Sequence, residues 1–272
     1  WVTIYKDDDE SYDIWNKIPD LDSDRILRFG DKYNFWEMGE AGPCGPSSEI
    51  HYYTGKNPAK QNPEGVNKEN DYRELWNLVF IQYNRENGNL DSLPLKHVDT
   101  GLGLERISSV LNNINDNYLL DLFKVLIDKT IDLSGKNYNF KEGVPHRVIA
   151  DHIRMLSFSI ADGAIPSNEG RGYVLRRVLR RAVRYGDLLG IKEPFLSSLL
   201  DELIVVMGAS YPEIKDKKNH IKTTIEREEI LFRNTLEKGL IKFEEFLESD
   251  KKIKELKGGD VFKLYDTYGF PL

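Results

Sequence analysis

The chain has 272 residues and a single cysteine, Cys44. A lone thiol forms no internal disulfide and cannot build a cysteine-based zinc centre, so zinc-finger and secreted-scaffold classes fall away and a reducing compartment is expected. Long apolar runs are also missing. No stretch reaches the roughly 18 uninterrupted apolar residues that a bilayer span needs, and the opening WVTIYKDDDE lacks the basic-then-apolar order of a signal peptide. No membrane partner is expected, and the cytoplasm is the expected location, with an organelle as the alternative. Net positive charge is absent too. Lys+Arg number 38 against 45 Asp+Glu, giving −7, which argues against a general polyanion binder.

The bulk charge hides an asymmetry. Residues 171–184 carry six arginines and no acid, leaving 32 basic against 45 acidic residues, or −13, elsewhere. The chain opens on WVTIY, an alternating β-branched and aromatic pattern that reads as a core strand with no cap or turn before it. This abrupt start suggests a piece of a longer polypeptide. Up to about Arg106 the texture is strands and loops, with a polar, mobile loop expected over 54–70. After Gly103 apolar residues recur at three and four spacing, interrupted by a polar linker near Ser134–Gly143. A long amphipathic helix is expected over about 220–249, with Ile221, Ile225, Phe232, Leu236, Leu240, Phe243 and Leu247 on one stripe. The length favours two domains over one.

Three constellations carry more than packing information. In HVDTGLGLER, from His97 to Arg106, a short strand reaches Asp99, two glycines let the backbone approach a flat ligand, and a helix starts near Leu104 with Arg106 in its first turn. The spacing does not match a dinucleotide fingerprint, which needs a third glycine where Arg106 stands. Asp99 reads either as a solvated turn residue or as a carboxylate pairing with a ligand ammonium. In NFWEMGEAGPCGPSSEI, from Asn34 to Ile50, the Gly/Pro density predicts a rigid, multiply turned loop walling a pocket. Trp36 reads as a core aromatic or a pocket lid, and Cys44 as a small buried residue. The third stretch, DGAIPSNEGRGYVLRRVLRRAVRYG, places Arg176, Arg177, Arg180, Arg181 and Arg184 within an arc of about 140° on a helix. Val174, Leu175, Val178, Leu179, Ala182 and Val183 fall on the opposite arc. A face of one sign calls for a negative partner, either nucleic-acid phosphate or carboxylates of the acidic remainder.

The blocks FWEMGEAGPCGPSSEI, ELWNLVFIQYNRE, VDTGLGLERI, RVIADHIR, ADGAIPSNEGRGYVLRRVLRRAVRYG and LYDTYGFP together resemble the alanyl-tRNA synthetases, and the resemblance covers essentially the whole chain. It implies an α+β architecture: the later part of a class II antiparallel-sheet catalytic domain over 1–140, then a helical tRNA-recognition domain over 141–272. Residues 97–112 resemble class II motif 3. By that resemblance Arg106 contacts an ATP phosphate, Gly101 and Gly103 lie against the nucleotide, and Asp99 holds the alanine ammonium. Trp36, Asn77, Val79 and Gly101 line the alanine pocket. Asn168 and Asp266 read the G·U pair of the tRNA(Ala) acceptor stem, with Arg180 or Arg181 as a nearby contact, and the one-signed charge of the helix adds Arg171, Arg177 and Arg184 as expected tRNA contacts. The implied substrates are ATP and L-alanine, with Mg2+ on the phosphates and Glu49 as its candidate ligand. Departures are equally specific. Motifs 1 and 2 precede the WVTIY strand in this family, Ser47 replaces the usual second cysteine of the GPCGPC block, and the zinc-binding editing domain follows the matched region. Zinc is therefore not expected here, and the fragment alone is expected to be inactive. The rival reading is a non-catalytic RNA-binding module derived from a synthetase.

Overall fold

A computed structural model describes residues 1–249, 258–259 and 261–262. The chain divides into two compact units, Trp1–Leu120 and Asp121–Leu272.

The first unit is built on a six-stranded sheet. Its elements are β1 (Val2–Tyr5), α1 (Asp9–Trp15), β2 (Ile26–Phe29), α2 (Asp31–Asn34), β3 (Phe35–Glu37), β4 (Gly42–Tyr53), β5 (Tyr72–Glu86), β6 (Asn89–Leu102) and α3 (Leu104–Leu111). The strand order is β2-β1-β4-β5-β6, with β3 also paired to β4. Only the β1–β2 pair is parallel. The alternation in WVTIY splits the two faces as period 2 requires. Val2 and Ile4 are buried with Ile26, and the partly buried Tyr12, Trp15 and Leu21 pack against them, while Thr3 points to the opposite face and is fully buried there.

The GPCGP segment is not a multiply turned loop. It begins β4, a strand of 12 residues. Two features make this possible. A register shift against β5 falls between Cys44 and Ser47, so Gly45 and Pro46 leave that ladder and the missing proline N–H breaks no bond in it. Gly45 is pressed onto the next strand so closely that a Cβ there would lie 1.9 Å from the Phe80 carbonyl oxygen. Cys44 is fully buried, and burial pushes its thiol pKa up. The 54–70 connection contains two 3-10 turns and the fully buried Val66. The Tyr72 hydroxyl holds it by accepting from the Asn62 N–H at 2.6 Å and donating to the Asn62 carbonyl at 2.8 Å.

The second unit is helical: α4 (Asp121–Ser134), α5 (Val144–Ala161), α6 (Gly170–Leu188), α7 (Leu200–Met207), α8 (Pro212–Asp216) and α9 (Lys218–Ser249). The division between the compact units falls at 120/121, 20 residues before the 140/141 bound that the resemblance implies. The reason is α4: Phe123, Leu126, Ile127 and Thr130 are buried, and it packs on α5 and α7. The polar 134–143 stretch is thus a connection inside this unit, tied by His146 Nε2 to the Lys136 carbonyl at 3.0 Å. Helix α9 spans the expected residues, with Ile221, Ile225 and Phe232 buried and Leu240 exposed. Gly172 lets α6 start tightly against the preceding loop, because a Cβ there would come within 2.2 Å of Ser167 Oγ. Among the described residues no helix is long and apolar enough to cross a membrane.

Candidate functional site

Sheet register assembles the first site. Thr3 pairs with Glu49, Glu49 with Asn77, and Asn77 with Gly101, so these four lie in one row across β1, β4, β5 and β6. The adjacent row is Ser47, Val79 and Asp99. Residues directly opposite share a face, as do residues two apart on a strand. Asn77, Val79, Asp99 and Gly101 therefore form a compact patch on the face opposite Val2 and Ile4. Asp99 lies within the β6 ladder, which runs on to Leu102, so it is a strand residue and not a turn residue. It is exposed, and one of its oxygens accepts from the Thr100 N–H at 2.9 Å. A Cβ on Gly101 would meet nothing within 4 Å. The floor is thus open where the row reaches β6.

Beneath the open end the row is polar and buried. Asn34 Nδ2 donates to Thr3 Oγ1 at 2.9 Å, and Thr3 Oγ1 donates to Glu49 Oε2 at 3.3 Å. His51 Nε2 lies 3.0 Å from the same oxygen, and Asn77 Nδ2 donates to Glu49 Oε1 at 3.1 Å. Thr3, Asn34, Glu49 and His51 are all buried. Both Glu49 oxygens already accept hydrogen bonds inside the sheet, so Glu49 does not present an open carboxylate to a cation. Among the described residues no group of three or more His, Cys, Asp and Glu is placed to hold a metal. Thr3, Asn34 and His51 were missed in the sequence. The available signal was the polar pair Glu49 and His51 at strand spacing, either side of Ile50.

The other sequence-identified residues are distributed around this patch. Trp36 sits on β3 opposite Gly45 and is partly exposed. Gly103 precedes α3 and donates its N–H to the Leu75 carbonyl at 3.0 Å. Arg106 occupies the first turn of α3, where Nη1 donates to the Glu74 carbonyl at 2.8 Å and its carboxylate at 3.2 Å. About half of its side chain remains in solvent.

In the helical unit the arginine arc of α6 divides in two. Arg176 and Arg180 turn toward α9. Arg176 makes a two-point pair with Glu228 and also donates to Asn168 Oδ1. Arg180 stands over the Phe232 ring at 5.2 Å, and desolvation lowers its pKa. Arg171, Arg177, Arg181 and Arg184 are exposed, with Tyr173 and Tyr185 beneath Arg177 and Arg181. Val174, at the edge of the apolar arc, is also exposed. Phosphate and carboxylate thus remain candidate partners for different arginines. Asn168 is exposed in the loop before α6, and Asp266 lies outside the described residues.

The sequence pattern of the tRNA synthetases class II (A) matches residues 1–272. The chain belongs to this family. Its similarity to individual class II (A) proteins is high along its whole length. It is 52% identical over 279 residues to the alanine–tRNA ligase of Idiomarina loihiensis, covering all of this chain and 31% of that protein. The alanine–tRNA ligases of Chlorobium chlorochromatii and Natranaerobius thermophilus are 49% and 47% identical, again over all of this chain and 31% and 32% of theirs. The chain therefore spans about a third of the length of the curated relatives it matches. The antiparallel-dominated sheet followed by helices fits the class II (A) catalytic architecture.

Proposed function

We propose that this chain supplies the amino-acid and nucleotide floor, and a tRNA-facing helix, of an enzyme that activates alanine with ATP and transfers it to tRNA(Ala). The observation that carries the reading is the two-row patch of Asn77, Val79, Asp99 and Gly101. Asp99 offers a carboxylate for an ammonium, Val79 an apolar wall, and Gly101 open space for a small side chain. Arg106 and the Gly101–Gly103 backbone would meet the ATP phosphates and base. The alanine carboxylate attacks the α-phosphate in line and pyrophosphate leaves. A hydroxyl of the terminal adenosine of tRNA then attacks the alanyl carbonyl, forming the ester as the bond to phosphate breaks and AMP leaves. Such chemistry depends on positioning and charge neutralisation and needs no protein nucleophile. Magnesium would neutralise phosphate charge when bound, but Glu49 is not an apt ligand for it, and no step is assigned through it. Arg171, Arg177, Arg181 and Arg184 are proposed as phosphate contacts, Arg180 as a contact reached by a side-chain shift, and Asn168 and Asp266 as base-pair readers. The proposed location is cytoplasmic.

The test is ATP–pyrophosphate exchange by the complete gene product with each standard amino acid supplied singly. Exchange dominated by alanine is expected. Exchange with a larger amino acid, or none with alanine, overturns the reading.

A further inference from the structure

The buried polar row ends on an atom with nothing to bind. Asn77 Oδ1 is buried and has no hydrogen-bond partner among the described residues. Leaving a buried acceptor unpaired is costly, so such an atom calls for an explanation. Its direction is set by its neighbour. An amide has an acceptor end and a donor end, while a carboxylate only accepts. Glu49 Oε1, 3.1 Å from Asn77 Nδ2, therefore holds the NH2 inward and turns Oδ1 away.

Glu49 is itself held. Asn34 donates to the Thr3 hydroxyl, which leaves the hydroxyl proton to be donated to Glu49 Oε2, and His51 Nε2 approaches the same oxygen at 3.0 Å. Asn34 is further fixed by donating to the Ser47 carbonyl at 3.2 Å. The hydrogen bonds thus run one way, from Asn34 through Thr3 to Glu49, with Asn77 donating from the other side. Released from Glu49, the Asn77 amide can turn over and present NH2 where it now presents oxygen.

We propose that Glu49 is a positioning residue for amino-acid recognition, fixing the Asn77 amide so that Oδ1 and the Asp99 carboxylate together receive a primary ammonium above Gly101. The inference rests on the alanine-site reading and deepens it. A primary ammonium has only donors, so two acceptors and no competing donor suit it. Asn77 and Asp99 stand on neighbouring strands, with Gly101 directly opposite Asn77 and bare of side chain. The role differs from metal ligation, for it uses both Glu49 oxygens inside the protein.

The test is alanine and ATP kinetics of pyrophosphate exchange by the complete gene product. Glu49→Gln keeps the shape but can offer NH2 to Asn77, so the alanine KM should rise about tenfold while the ATP KM stays nearly constant. Glu49→Gln with Asn77→Asp restores a donor facing an acceptor and keeps an oxygen toward the ammonium, so the double variant should recover most of the alanine KM. Thr3→Val, which removes the hydroxyl from Glu49, should raise the alanine KM by a smaller factor and serves if Glu49→Gln fails to fold. An unchanged alanine KM in folded Glu49→Gln, or equal rises for alanine and ATP with no recovery in the double variant, overturns the proposal. Asp99→Asn is the control that separates the two failures. If Asp99→Asn weakens alanine and Glu49→Gln does not, only the positioning role falls. If neither does, the alanine site itself is misplaced and the proposal falls with it.

Discussion

Arg176 and Glu228 meet at two points, Nε to Oε2 at 3.0 Å and Nη2 to Oε1 at 2.8 Å, joining α6 to α9 with both side chains largely buried. The third donor of the same guanidinium holds the Asn168 amide oxygen. The pair therefore has structural work in the helical unit, whereas Arg177 and Arg184 stand in solvent. Arg176→Ala leaves Glu228 uncompensated and should cost about 2 kcal/mol of stability by urea unfolding. Arg177→Ala or Arg184→Ala should leave stability within about 0.5 kcal/mol and lower the salt slope of tRNA binding by about one unit each. Equal stability losses at all three positions would contradict the division of the arginine arc.

Asn168→Ala removes an exposed amide whose oxygen accepts from Arg176, but that guanidinium stays held at two points by Glu228, so melting should fall only slightly. Loss of one base-edge contact carries roughly 1 to 3 kcal/mol, which should appear as weaker charging of G·U acceptor stems with little change in non-specific binding. Equal losses on G·U and G·C stems with a lowered melting temperature would make Asn168 a structural residue of the α6 start.

Two glycines make opposite predictions. Gly45→Ala places a methyl group 1.9 Å from the Phe80 carbonyl oxygen, so the sheet must move and stability should fall by about 3 kcal/mol or more. Gly101→Ala meets nothing within 4 Å and should leave the melting curve almost unchanged. If the space above Gly101 receives substrate, that same variant loses alanine activation. Thermal melts and pyrophosphate exchange on both proteins separate packing from binding.

Glu229 on α9 is fully buried and accepts from the Phe195 and Leu196 N–H groups at 3.1 and 2.9 Å and from Arg233. Burial outweighs these partners and raises its pKa above the ordinary value of 4.5. The folded state then holds this proton to higher pH than the unfolded chain, so the Glu229 contribution to stability falls as pH rises from about 4.5 through the raised value. Denaturant midpoints measured across that range should show a decline that Glu229→Gln lacks. Parallel pH profiles for the two proteins would refute this.

The helix start after Gly103 was legible because its signals are local, a glycine and then 3.6-residue periodicity from Leu104, whereas the strand before it runs on to Leu102 instead of ending at Asp99. The first half of the α9 stripe, Ile221, Ile225 and Phe232, was legible for the same reason, while Leu240 is exposed and the Leu247 side chain lies outside the described residues. The GPCGP strand was not, since Pro46 leaves the ladder only through a register shift against β5, a partner some thirty residues further on, while Pro43 sits within that ladder opposite Asn84. Helical phase alone put Arg176 and Arg177 on one face, and only the docking of α9 separates them. The Thr3–Glu49–His51 cluster depends on register across two strands, which no single segment encodes.

The alanine dependence of pyrophosphate exchange in Asp99→Asn tests the central claim most directly. Removing the charge that faces the ammonium should lower kcat/KM for alanine by the equivalent of about 2 kcal/mol, the low end for a charge pair because Asp99 is exposed before substrate binds, while the ATP KM changes little. An unchanged alanine dependence in a folded Asp99→Asn enzyme would show that the patch of Asn77, Val79, Asp99 and Gly101 does not hold the amino acid.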